Sequence, residues 1–94
     1  MDKLELFNAL IGVVTPVNSM GARANSLGDS LGDTGLDSLD LLMMGIYLGD
    51  IYGVPEEELK LLQPTTVNDM FDFMEQRKTK EPPATIQEAL EMVL

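Results

Sequence analysis

The 94-residue sequence predicts an all-α fold: a bundle of four helices with a short third one, followed by an extra C-terminal helix. Three observations predict it. Apolar residues recur at spacings of three and four in separate stretches, the period of one helix face. No run alternates Val, Ile, Thr or aromatic residues with polar ones, so no strand is expected. Capping and breaking residues fall where such helices would start and stop.

The first helix is expected over residues 3–15, where Leu4, Phe7, Leu10, Ile11 and Val14 share a face. It closes before Pro16, because the residue preceding a proline avoids the α region. Residues 18–37 hold four of the eight glycines and no sustained period, and read as a long loop. The second helix covers residues 39–52. Ten of those fourteen residues are Leu, Met, Ile or Tyr, and Asp40 and Asp50 are its only charges. Gly53-Val54-Pro55 ends it.

Residues 56–62 fit a short third helix, with Pro55 tolerated at its start and three glutamates at the positive end of the dipole. Pro64 ends that piece. Thr65 or Thr66 then caps a fourth helix whose Val67, Met70, Phe71 and Met74 share a face, with Asp69 placed for a capping box. Arg77 and Lys78 suit its negative end. Residues 78–84 form a charged, proline-stiffened linker. Thr85 and Glu88 then open an amphipathic fifth helix with Ile86, Leu90 and Val93 in a stripe. The expected organisation is a domain over 1–77, a linker over 78–84 and a helical extension over 85–94. The extension is expected to dock on the glycine-notched surface of the second helix around Gly45, Tyr47 and Gly49, with an undocked tail that is helical only part of the time as the competing reading.

Composition narrows the chemistry. Six Lys and Arg against sixteen Asp and Glu give a net charge of −10. Such a surface repels phosphate backbones and anionic lipids, so neither nucleic acid nor membrane is an expected partner. It favours basic protein surfaces. With no Cys there is no disulfide and no thiolate nucleophile, and with no His the usual general base and metal ligand are missing. An autonomous enzyme is not expected, nor is a metal site. No apolar run of about 18 residues is present to span a membrane, and Asp2 and Glu5 do not suit a secretory signal. A cytoplasmic monomer is the expectation.

Residues 29–40 concentrate the remaining signals. Asp29, Asp33, Asp37 and Asp40 fall at positions one, five, nine and twelve of a calcium-type loop. However, Leu31 stands at position three and Thr34 at the sharp-turn position that needs glycine. Ser38 lies where the loop enters the second helix, at or next to the N-cap. A phosphate ester there would face the positive end of the helix dipole. An ordinary capping serine is the competing reading. Ser30 shares the Asp-Ser-Leu triplet but is followed by Gly32 within the loop, with no helix start beside it.

Gly35-Leu36-Asp37-Ser38-Leu39-Asp40, followed by an apolar helix, resembles the phosphopantetheine attachment motif of acyl carrier proteins. Ile51-Tyr52-Gly53-Val54, Pro55-Glu56-Glu57-Glu58 and Thr65-Thr66-Val67-Asn68-Asp69 resemble later segments of that family in the same order. The likeness covers residues 4–76. It implies a four-helix acyl-carrier-like bundle, with a 4′-phosphopantetheine arm from coenzyme A on Ser38 whose thiol carries acyl groups as thioesters. Asp37, Leu39, Asp40, Met43 and Tyr47 are then the expected partner-recognition residues. Implied partners are a phosphopantetheinyl transferase and acyl-activating, ketosynthase or acyltransferase enzymes with basic docking patches. The alternatives are an unmodified helical interaction module of the same fold and an acidic cation-binding protein.

Two departures stand out. Thr34 occupies a position that is usually apolar in the family; the expectation is a looser loop, the alternative being that Leu31 or Leu36 fills the gap. Met43, Tyr47 and Gly49 replace family glutamates on the recognition helix, which implies a specialised lipid, lipopolysaccharide or secondary-metabolite pathway. Leu39, Leu42, Met43 and Ile46 read mainly as core, and Met43 and Met44 as an alternative lining for an acyl chain.

Overall fold

The computed structural model describes residues 1–15 and 21–94. The sequence-predicted stop at Pro16 and the first residues of the expected loop, 18–20, lie outside the described residues. The described residues form five α-helices and one 3₁₀ turn, with no strand. The radius of gyration is 12.0 Å, close to the ~12 Å expected for a compact chain of this length.

Helix α1 spans Lys3–Val14. The Glu5 N–H donates to the Asp2 carboxylate at 3.0 Å, capping the helix start. Its face buries Leu6, Phe7, Leu10 and Ile11, so Leu6 joins the core although it lies off the expected stripe. The following loop is tied down at several points. Asn8 brackets Ala24 with two hydrogen bonds of 2.9 Å, donating to its carbonyl and accepting from its N–H. The Leu31 N–H donates to the Thr65 carbonyl and the Val67 N–H to the Asp29 carbonyl, around a bridge between Ser30 and Thr66.

Thr34 corrects an expectation. It is 1% exposed, yet its hydroxyl donates to the Leu31 carbonyl at 2.6 Å and accepts from the Leu36 N–H at 3.4 Å. A buried hydroxyl with both roles filled costs little, so Thr34 fastens the loop rather than loosening it. Gly35 then turns the chain with φ of 88°, and a Cβ there would meet the Ala22 backbone at 3.3 Å. Only glycine combines that φ with so close an approach.

Helix α2 spans Ser38–Tyr52 and ends on Gly53 in the left-handed conformation, φ 71°. Helix α3 is a single turn, Glu56–Leu59, shorter than the 56–62 stretch expected. Its carboxylate-rich start has no side-chain cap, and none of its residues is buried. Helix α4, Val67–Arg77, starts on the expected capping box: the Asp69 N–H donates to Thr66 Oγ1, and the Thr66 N–H donates to the Asp69 carboxylate. It buries Val67, Met70, Phe71 and Met74. Arg77 lies 4.0 Å over the Phe73 ring and pairs with Glu58 at 3.3 Å, joining α4 to α3.

Helix α5 spans Ile86–Val93, started by Thr85, which accepts from the Glu88 N–H. It packs against α1 and α2, with Ala89 fully buried and Ile86, Leu90 and Val93 against the core. Its expected dock was the glycine notch of α2, and there the structure differs. Cβ atoms at Gly45 and Gly49 would each lie 2.9 Å from a side chain, Leu62 and Leu59 respectively. The segment just after α2 folds back over its glycines and occupies them first. A connection of three residues costs little closure entropy, whereas α5 is more than thirty residues away along the chain.

Candidate functional site

The site assembles around the start of α2. Asp37, not Ser38, is its N-cap. The Asp40 N–H donates to the Asp37 carboxylate at 2.8 Å, and the Asp37 N–H donates to the Asp40 carboxylate at 3.3 Å. This reciprocal box fixes the helix start. Ser38 is therefore the first helical residue and is exposed. Its hydroxyl makes no hydrogen bond among the described residues. The backbone N–H groups of Ser38 and Leu39 sit in the first turn, where no intrahelical acceptor exists. An oxygen ester on Ser38 would meet these two N–H groups and the positive end of the helix dipole.

Beside Ser38 lies an apolar cleft of about 260 Å³. One wall is α2, through Leu41, Leu42, Gly45 and Ile46. The opposite wall is Leu59 and Leu62, and the buried Leu31 and Met70 also line it. Ser38 lines the same cleft. Sequence reasoning did not identify Leu41, Leu59 or Leu62 as site residues. The available signal was the Gly45/Gly49 pair on an apolar helix, which requires something bulky to approach closely.

A second feature shares this end of the molecule. Leu39 is 66% exposed, Leu42 60% and Ile46 38%, a stripe along α2, and Leu61 after α3 is 62% exposed. Leu39, Leu42 and Ile46 were expected to be core. The core face of α2 is instead Met44, Leu48, Ile51 and Tyr52, a helix being able to turn only one face fully inward. Met43 is half-buried, Tyr47 is half-buried against the core, and neither they nor Met44 line the cleft. Of the five expected recognition residues, Asp37 and Asp40 form the cap, while Leu39 is the most exposed apolar side chain of the helix.

Of the other two acidic residues of the loop, Asp29 is engaged in local structure. Asp29 accepts from the Asn25 N–H at 2.7 Å and from the Ser26 hydroxyl at 2.9 Å. These bonds hold its carboxyl below the usual 3.8. Among the described residues no group of three or more acidic side chains is placed to hold a metal ion. Burial, with Glu75 adding to it, pushes the Tyr52 hydroxyl up to about 12. It is neutral near pH 7 and packs edge-on against Phe71 at 6.4 Å. Ser30 has no side-chain cap role and lies in the bridge to Thr66. No described helix is long and apolar enough to cross a membrane.

The chain matches no protein-family model, no curated protein and no solved structure.

Proposed function

We propose that this chain is a carrier that holds acyl or related groups on a phosphopantetheine arm attached to Ser38 and presents them to partner enzymes. The carrier-like arrangement of α1 to α4 and the specialised pathway belong to the same proposal. The observation that carries it is the state of Ser38. It is exposed at the first position of α2, its hydroxyl is spared from capping by Asp37, and it borders an apolar cleft. A serine serving only as a cap would have its oxygen on a backbone N–H.

The first turn fits a phosphate ester, with the Ser38 and Leu39 N–H groups as its donors. The arm, when bound, supplies the thiol that carries the acyl group as a thioester. The chain's own residues orient and shelter. Asp37 and Asp40 hold the helix start rigid, and the cleft takes apolar surface away from water. Tethering raises the local concentration of cargo at each docked partner. The exposed Leu39, Leu42 and Ile46, flanked by acidic residues, suit a partner with an apolar ridge bordered by Lys and Arg.

Intact mass after incubation with coenzyme A and a phosphopantetheinyl transferase tests the assignment. Wild type and Ser30→Ala gain the mass of one arm, and Ser38→Ala gains none. A gain that persists in Ser38→Ala overturns the site. A wild-type chain that stays unmodified with several transferases favours the unmodified interaction module, for which the same apolar stripe on α2 would be the working surface.

A further inference from the structure

The chain between α4 and α5 is fastened at one end only. Thr79 donates its N–H to the Tyr52 carbonyl at 3.2 Å and its hydroxyl to the Gly53 carbonyl, closing the C-terminal end of α2. Lys78 pairs with Glu75 at 3.0 Å and with Glu81 at 3.1 Å. Beyond Glu81 the polar ties stop. Among the described residues, no hydrogen bond or ion pair joins residues 82–94 to any residue before them. What holds α5 is apolar contact with α1 and α2, through the fully buried Ala89 and the half-buried Ile86, Leu90 and Val93. The helix can therefore leave as a unit, hinged near Lys80, without stranding a buried hydrogen-bonding group.

Its departure would uncover a seat for a helix. Ile86, Ala89, Leu90 and Val93 stand at i, i+3, i+4 and i+7, the spacing by which amphipathic helices enter apolar grooves. At the second of these positions only a small side chain fits, because Ala89 is 0% exposed. The present occupant suits the seat by shape but not by charge. Helix α5 carries Glu88 and Glu91 and no basic residue, on a protein of net charge −10. Both glutamates face solvent, so α5 docks against the field of the whole molecule. We infer that the surface where α1 and α2 meet is a helix-docking seat that α5 fills in cis, and that an amphipathic partner helix with the same apolar spacing and Lys or Arg on its outer face displaces α5. Charge complementarity selects this partner over a second copy of the chain, whose own α5 brings the same repulsion. The seat lies apart from Ser38 and from the exposed stripe of Leu39, Leu42 and Ile46, and does not depend on the carrier reading.

The test adds synthetic peptides to the full wild-type chain at low and at physiological salt. One peptide is residues 85–94 as they stand. The other carries Gln87→Lys and Glu91→Lys, two exposed positions that leave the Thr85–Glu88 cap intact. Because α5 competes at an effective concentration on the order of millimolar, both are titrated through that range. The readouts are the amide shifts of α1 and α2 and hydrogen exchange through 86–93. The basic peptide is expected to shift those amides and to accelerate exchange through 86–93. Its affinity is expected to exceed that of the unaltered peptide by about tenfold at low salt, with a gap that narrows as salt rises. Adding Ala89→Leu to the basic peptide is expected to remove the effect. Shifts confined to Leu39, Leu42 and Ile46 would put the peptide on the exposed stripe and overturn the inference. Exchange through 86–93 that stays unchanged at millimolar basic peptide, or equal potency of the peptide with Ala89→Leu, overturns it as well. The same outcome is expected in Ser38→Ala, which keeps this test separate from that of the carrier proposal.

Discussion

Asp37 carries two roles that substitution separates. Its carboxylate caps α2 and its charge lies beside Ser38. Asparagine caps nearly as well as aspartate, so Asp37→Asn is expected to keep the melting temperature while slowing association with a basic transferase. Asp37→Ala loses the cap and about 1 kcal/mol of stability. A modification rate unchanged in Asp37→Asn would show that this charge does not steer docking. Asp69 gives a pH signature. The Thr66 and Thr65 N–H groups that it accepts from hold its carboxyl below the usual 3.8. A carboxyl depressed in the folded state stabilises in full above 3.8, and that contribution fades as pH falls through the lower folded value. The loss in melting temperature caused by Asp69→Ala is therefore expected to be largest near neutrality and to shrink below about 3.9. A gap that stays constant across a thermal-melt pH series would contradict this.

The short third helix, α3, is held by what its neighbours lack. With no buried residue in its own turn, it relies on Leu59 and Leu62 against the α2 glycines and on the Arg77–Glu58 pair. That pair is partly exposed and contributes little alone; Glu58→Gln is expected to change stability by less than about 1 kcal/mol. The fifth helix depends on one small residue. Ala89 is fully buried where α5 meets the body of the protein. Ala89→Leu overpacks that contact, at a cost of about 1–3 kcal/mol, expected as a lower melting temperature with faster hydrogen exchange through 86–93. Removal of everything after Lys80 is expected to lower the melting temperature too. An unchanged melt in both variants would mean that α5 contributes nothing to the fold.

Over the whole molecule, charge is the dominant imbalance. Sixteen acidic residues face six basic ones, and two of the basic ones, Arg77 and Lys78, are already engaged by Glu58, Glu75 and Glu81. Like charges across a globule of 12.0 Å radius of gyration repel within about a Debye length, about 8 Å at physiological salt. Added salt screens that repulsion, so the melting temperature is expected to rise with ionic strength. Screening also removes the attraction to a basic partner, so the rate of Ser38 modification is expected to fall over the same range. Parallel trends of the two quantities would sink the electrostatic account of docking.

The sequence by itself determined the helices and their starts. Periodicity, glycine and proline stops, and the caps at Thr66 and Thr85 are local properties, set within a few residues along the chain. It also marked Ser38 as the residue at the mouth of the second helix. Tertiary structure decided everything that depends on which face turns inward. Helix α2 is apolar nearly all round, so its sequence did not distinguish the buried Met44, Leu48 and Ile51 from the exposed Leu39, Leu42 and Ile46. Only the packing of α1, α3, α4 and α5 against it makes that choice. The glycine notches called for a close neighbour without saying which; the short connection after α2 delivered Leu59 and Leu62 before the distant α5. The cleft beside Ser38 follows from that outcome, because its walls come from segments that only folding brings together.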